Sequence, residues 1–262
     1  MKQTTAIVTG ASSGIGAALA RAWGRRGATV VLSARSEDAL RQVAHHVEAA
    51  GGRAVVHPGD VTLESDRVTL VERAWAETGR LDVLVNNAGR GYYGGVARID
   101  RGELEALLAL NVVAPLRLAQ LSLEHLTRNG GTIVMMSSLA GVVAAPRMGA
   151  YAASKFALEA LSMSLRAELS GSGIRVVVVR PGPVDTPFRQ HAVTTDGQAG
   201  VRPRGAGVQT ADEVAEQTLR AMDRGKMVVE TTPFVRAVSA AARLAPGPVR
   251  WLSALMHSRA GS

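Results

Sequence analysis

Short runs of Val, Ile, Leu and Thr alternate with longer amphipathic stretches along most of this chain, and that alternation limits its fold more than any other feature. The strand-like runs are Thr5 to Thr9, Thr29 to Ser33, Ala54 to His57, Val83 to Asn86, Thr132 to Ser137 and Arg175 to Val179. Apolar residues fill nearly every position in them rather than every second one, so both faces need cover. Helical patterning at Gly14 to Arg26, Glu37 to Ala50, Leu63 to Thr78, Arg101 to Arg128 and Ala152 to Ser170 supplies it. Strand and helix in alternation predict an α/β fold, a doubly wound parallel sheet with helices on both faces. One such sheet absorbs 262 residues, so a single domain is expected.

Hydrophobic residues make up 47% of the chain against 20% charged, which excludes a disordered protein. There is no cysteine, so disulfides and thiolate metal sites are excluded, and no metal is expected. Met1-Lys2-Gln3-Thr4-Thr5 runs at once into the first strand, leaving no room for a signal peptide, and a cytoplasmic location is expected. The net charge of +8 is scattered rather than clustered, and few aromatics accompany it, so nucleic acid is not an expected partner. Lys2, Lys155 and Lys226 are the only lysines; the other 27 basic residues are arginine. A lysine in mid-chain therefore points to a task that a compact ammonium performs and a planar guanidinium does not.

Thr9-Gly10-Ala11-Ser12-Ser13-Gly14-Ile15-Gly16 leaves the first strand and opens the first helix. Glycines there let the backbone turn sharply and approach a pyrophosphate, whose charge the helix N-terminus favours. The second strand ends in Leu32-Ser33-Ala34-Arg35-Ser36, with no acid to hold ribose hydroxyls as an NAD site requires. Arg35 can pair with a 2′-phosphate and stack on adenine, which favours NADP(H) over NAD(H). Asp60-Val61, after the third strand, suits either an adenine amino group or a helix start. Asn86-Asn87-Ala88-Gly89 ends the fourth strand, where polar amides can fasten strand ends and line the cofactor's ribose.

Tyr151 and Lys155 stand four apart at a helix start, so they share a face. An ammonium beside a phenol lowers its pKa from about 10 towards working pH, making Tyr151 a general acid for reduction and a base for oxidation. Ser138, at the end of the fifth strand, is placed to hold the substrate oxygen beside Tyr151. Asn111 precedes Pro115 by four, so its carbonyl loses its regular helical partner and is free to anchor a water that relays protons through Lys155.

Beyond Pro181 the rhythm breaks. Residues 186–207 are rich in Gly, Pro, Gln and Arg and read as a mobile substrate lid. Thr210 and Glu213 have capping-box spacing and open another helix, followed by a short strand-like run from Met227 to Glu230. Residues 1–233 are taken as the catalytic unit and 234–262 as an apolar, basic tail. That tail holds no run long enough to span a bilayer; it packs on the core or a partner subunit, or lies at a membrane surface with Trp251. Tyr92, Tyr93, Met148, Pro183 and Phe188 flank the site and give it an apolar wall, which suits a hydrophobic ketone or secondary alcohol.

Together these residues resemble the short-chain dehydrogenase/reductase family from about Thr4 through Thr186. The glycine loop Thr9 to Gly16, the Asn86 to Gly89 segment and a filled tetrad of Asn111, Ser138, Tyr151 and Lys155 carry the likeness. The resemblance implies a Rossmann-type sheet of order 3-2-1-4-5-6-7 and hydride transfer between NADP(H) and a carbonyl or alcohol carbon. It further implies that Lys155 holds the nicotinamide ribose and that Pro181, Gly182, Val184 and Thr186 contact the nicotinamide end. A homodimer or homotetramer is implied as well. A non-catalytic NADP(H)-binding regulator of the same fold is the alternative, and substitution of Tyr151 separates the two.

Overall fold

The structure, a computed structural model, describes residues 4–126, 130–195 and 207–244. Seven strands form the main sheet: β1 (Thr5–Thr9), β2 (Thr29–Ala34), β3 (Arg53–Pro58), β4 (Val83–Asn86), β5 (Thr132–Met136), β6 (Arg175–Arg180) and β7 (Val228–Glu230). They lie in the order β3-β2-β1-β4-β5-β6-β7, every neighbouring pair parallel. This is the order that the family resemblance implies.

Side chains alternate across a strand, so β1 feeds two cores. Ala6 and Val8 pack with Leu19, Trp23, Val47 and Leu219, from helices α1 (Gly14–Gly24), α2 (Glu37–Ala49) and α7 (Ala211–Asp223). Ile7 packs on the other face with Leu70, Leu118 and Leu158, from α3 (Glu64–Thr78), α5 (Ala114–Ser122) and α6 (Gly149–Glu168). Each such buried aliphatic side chain contributes roughly 1.5–3 kcal/mol. Between β1 and β4 the chain's winding reverses, which opens a crevice at the strands' carboxyl ends.

The long helix expected from Arg101 to Arg128 is interrupted. Its first part, α4 (Arg101–Leu108), passes into α5 through a π-turn at Ala109–Val113, and α5 ends at Ser122. Pro115 cannot donate to the Asn111 carbonyl; the ladder widens there, and the Ala114 N–H donates to the Ala109 carbonyl five residues back. By length and composition Arg101–Ser122 could cross a membrane, yet Leu107, Asn111 and Leu118 on it are buried within this protein. It is a core helix.

Residues 186–195, the described part of the expected lid, lie against the Tyr92–Tyr93 strand. Pro187–Arg189 forms a 3-10 turn, and Val193–Thr194 pairs in parallel with Tyr92–Tyr93. The Val193 N–H donates to the Gly91 carbonyl and the Thr195 N–H to the Tyr93 carbonyl, at 3.1 and 3.2 Å. The rest of the expected lid, 196–206, lies outside the described residues. α7 opens with the capping box read from Thr210 and Glu213. It is bound along α1 by the ion pairs Arg21–Asp212, Arg25–Glu216 and Arg26–Asp223. The last described helix, α8 (Pro233–Leu244), brings Val235 against Gly182, where an added Cβ would lie 3.0 Å from the valine Cγ2. The remainder of the tail, Trp251 included, lies outside the described residues.

Candidate active site

The glycine loop is forced by sterics rather than by preference. Gly10 and Gly14 hold φ of +63° and +55°, the left-handed region that disfavours a side chain. A Cβ at Gly16 would sit 2.2 Å from the Gly10 carbonyl oxygen. The result is a backbone turned so tightly that α1 begins with Ser13 extended, no side-chain cap and no acid in its first turn. By contrast α2 and α7 are each capped by a side-chain oxygen and carry two acids in the first turn. An anion therefore suits the open N–H groups around Ser12, Ser13, Gly14 and Ile15.

Fastening comes from Thr9 and Asn87. The Thr9 hydroxyl accepts from the Asn87 and Ala88 N–H groups, both at 3.0 Å. The Asn87 side chain donates to the Thr9 and Gly10 carbonyls at 2.9 and 3.2 Å. Asn86 turns inward and donates to the Pro115 carbonyl. Thr186 lies over the loop, its Cγ2 3.2 Å from where a Gly14 Cβ would stand. The segment Pro181–Thr186 thus closes the groove from the far side of β6, with the Pro181 carbonyl accepting from the Leu139 N–H.

At the other end of the loop Arg35 is exposed and makes no ion pair among the described residues. Its charge reaches Asp60, whose carboxyl is held below its ordinary value: burial works against that shift, but hydrogen bonds from Thr62 and the nearby Arg35 and Arg67 outweigh it. One Asp60 oxygen is taken by the Thr62 N–H and hydroxyl, which makes the residue at least a local turn former. The Val61 side chain is buried in the core and its carbonyl accepts from the Arg67 guanidinium at 2.6 Å.

The four chemical residues arrive from three separate parts of the fold. Tyr151 and Lys155 lie on α6, both buried, with the ammonium 5.8 Å from the centre of the phenol ring. The Lys155 Nζ donates to the Met136 carbonyl at the end of β5, at 2.8 Å. Ser138, just beyond, accepts from the Ala140 N–H and lies within hydrogen-bonding reach of the Tyr151 hydroxyl. Asn111, in the π-turn, donates to the Arg90 carbonyl and the Ser154 hydroxyl, while its own oxygen accepts from the Arg90 N–H. Ser154 in turn donates to the Tyr151 carbonyl. Gly89 sits between two of these groups: a Cβ there would stand 3.0 Å from the Asn111 Oδ1 and 3.7 Å from the Lys155 Nζ. All four tetrad side chains meet at one spot.

The electrostatics correct one expectation. Lys155 does not bring the phenol down; burial pushes the Tyr151 hydroxyl above its ordinary value, although Ser138 and Arg189 pull the other way. Burial likewise lowers the Lys155 ammonium to about 8, opposed by Glu159. Desolvation favours the neutral form of both groups, and at 5.8 Å the cation does not overcome it. Tyr92 also differs from expectation: it is fully buried and belongs to the core under the site, not to its wall. Tyr93, Met148, Pro183 and Phe188 are half-buried, with the Phe188 and Tyr151 rings 5.7 Å apart.

Three further residues bear on the site and were not picked out from sequence. Ser154 links Asn111 to Tyr151. Glu159, one turn beyond Lys155, accepts from two of the three Arg180 nitrogens at 2.8 Å in an almost fully buried pair, and Glu230 takes the third at 3.1 Å. That pair bolts α6 to the end of β6 beside Pro181. Arg189 is the third. The i,i+4 spacing of Lys155 and Glu159 was the available signal for the second; nothing local marks the other two. A separate hollow of about 420 Å³ against β3, lined by Arg41, His45, Arg53, Arg73 and Glu77, contains none of these groups.

Residues 4–197 match the model of the family described as short chain dehydrogenase. The chain belongs to that family. It is 34% identical to the ketoacyl reductase HetN of Nostoc sp. over 90% of this chain and 81% of that protein. Among solved structures it is similar to a short-chain dehydrogenase from Sphingobium yanoikuyae in complex with NADPH, with TM-score 0.78 and 32% identity over 98% of this chain and 94% of that one. An alcohol dehydrogenase from Thermococcus sibiricus complexed with 5-hydroxy-NADP is similar too, at TM-score 0.77 and 30% identity, covering 87% of this chain and 95% of the other.

Proposed function

We propose that this chain is an NADP(H)-dependent reductase or dehydrogenase that interconverts a carbonyl and a secondary alcohol. The observation that carries the reading is the meeting of Tyr151, Ser138 and Lys155 at the carboxyl edge of the sheet, beside a glycine loop open to an anion. The glycine loop, Asn87 to Gly89 and Pro181 to Thr186 would hold the cofactor, with Arg35 on its 2′-phosphate; the two similar structures bound to NADPH and to 5-hydroxy-NADP support that choice. When bound, the nicotinamide supplies or takes up the hydride.

The remaining chemistry belongs to the side chains. Ser138 donates to the substrate oxygen and fixes it against the Tyr151 hydroxyl. Tyr151 gives that oxygen a proton during reduction and removes one during oxidation. A phenol held neutral by burial arrives at the carbonyl with its proton in place. Lys155, with one N–H committed to Met136, has two others for the ribose hydroxyls. Asn111 and Ser154 fix the height of Tyr151 over the sheet. Tyr93, Met148, Pro183 and Phe188 give the substrate an apolar wall.

Tyr151→Phe is the test. We expect kcat to fall about 10³-fold while NADPH still quenches protein fluorescence with unchanged affinity. A variant with full turnover would remove Tyr151 from the chemistry, whereas a parent that turns nothing over and a variant that keeps its cofactor-linked activity would favour the regulator reading. Exposed Val113, Phe156 and Met163 on the helices flanking the site support assembly into a homodimer or homotetramer, which sedimentation velocity measures. The cysteine-free composition supports work in the cytoplasm.

A further inference from the structure

Acidic partners are the rule for arginines close to this site. Arg90, after the Asn86 to Gly89 segment, pairs with Glu103 at 2.8 Å, and Arg180 behind α6 pairs with Glu159 and Glu230. Arg189 departs from the rule. It is half-buried, and among the described residues it makes no ion pair. Its guanidinium carbon stands 5.9 Å from the centre of the Tyr93 ring instead. A cation over an aromatic face keeps its N–H groups available at the edge of the stack.

The backbone that carries Arg189 is held in place from both sides. The turn Pro187–Arg189 leads directly into Val193–Thr194, which is paired to Tyr92–Tyr93. The loop beneath leaves no slack: a Cβ at Gly91 would lie 3.1 Å from the Phe188 ring, and one at Gly94 would lie 2.1 Å from the Thr195 hydroxyl. The same turn carries Phe188, 5.7 Å from the Tyr151 ring. Arg189 is near enough to the reacting phenol for its charge to draw that hydroxyl downward, against burial. An apolar ring and an unpaired guanidinium, adjacent in sequence, therefore flank the group that gives up the proton.

We propose that the substrate is an oxo acid or hydroxy acid with an apolar stretch, its carboxylate gripped by Arg189 while Tyr151 addresses the carbonyl. This rests on the redox reading above and names its substrate class. A single guanidinium matches a single planar carboxylate through two parallel hydrogen bonds, whereas a phosphate dianion would leave charge unmatched. The apolar part of the molecule lies against Phe188 and Met148.

The experiment compares medium-chain oxoalkanoates with their methyl esters, following NADPH absorbance, in the parent protein, Arg189→Gln and Arg189→Lys. The parent should favour acid over ester, and Arg189→Gln should raise KM for the acid about ten- to a hundredfold more than KM for the ester, with NADPH affinity unchanged. Arg189→Lys should restore part of the loss, since it returns the charge without the fork. Equal use of acid and ester by the parent, or an equal loss for both in Arg189→Gln, overturns the proposal and leaves the redox reading standing. If neither is turned over, calorimetric titration of the oxoalkanoate into the NADPH complex decides: binding lost in Arg189→Gln supports the grip, and no binding to the parent refutes it. NADPH left unoxidised with every ketone and alcohol offered counts against the redox reading itself.

Discussion

The two ends of the groove are built on opposite principles. The glycine loop presents backbone to its ligand: eight consecutive residues, two left-handed glycines, a third with no room for a side chain, and a helix start with no cap, fastened from behind by Thr9 and Asn87. The catalytic end uses side chains alone, from the π-turn, the end of β5, α6 and the segment after β6. Its lysine is buried with only a carbonyl and distant acids for company. One end spends conformational freedom; the other carries the strain of desolvated charge. The contrast teaches that a binding surface for an anion is cheap to build from peptide groups, while a proton-transfer centre has to be held against its own instability.

Lys155→Met tests this most severely. Turnover should fall about 10³-fold, yet the variant should be more stable at neutral pH because a buried charge is gone. The folded-state value of about 8 lies below the unfolded 10.5, so the unfolded chain binds more protons between those limits and parent stability rises with pH across them. The advantage of Lys155→Met, about 3 kcal/mol below pH 8, should therefore shrink towards zero as pH approaches 10.5. Urea unfolding at pH 7 and 9.5 reads it; a variant less stable than the parent at pH 7 would show that the lysine is well compensated.

Gly16→Ala attacks the other end. A Cβ 2.2 Å from the Gly10 oxygen must displace backbone, so KM for NADPH should rise about a hundredfold with only a modest change in kcat for enzyme that does bind. A loss confined to kcat would mean that the two ends are coupled. The mildest change is Arg35→Asp. Competition between NADPH and NADH in steady-state assays should shift by about tenfold or more towards NADH. An unchanged ratio would remove the basis for assigning a 2′-phosphate to this end.

How far the chain's order alone reaches can be judged from particular residues. Thr9 to Gly16 could be read directly, because its turn is set by the left-handed glycines within it, although Asn87 fastens it from a distant part of the chain. The sheet was equally open to reading, since apolar runs such as Val176 to Val179 leave no face to solvent. The capping box at Thr210 and Glu213 formed as spaced. Tyr151 and Lys155 were placed correctly on one helix face, but the direction of the phenol's shift was not, because it depends on how completely other elements exclude water. Tyr92 and Tyr93 look alike in sequence; only the strand from Val193 shows that one is core and the other faces the site.

The order of residues thus determined the element types, the parallel sheet, the phosphate turn and the pairing of tyrosine with lysine, all of which follow from spacing within one or two turns of chain. Tertiary structure decided what those groups experience: the neutral bias of Tyr151, the Glu159–Arg180 bolt behind it, the tie from Asn111 through Ser154, and the poise of Arg189 at the mouth. Desolvation and long-range charge depend on everything packed around a group, and that surrounding matter is contributed by residues far away in the chain.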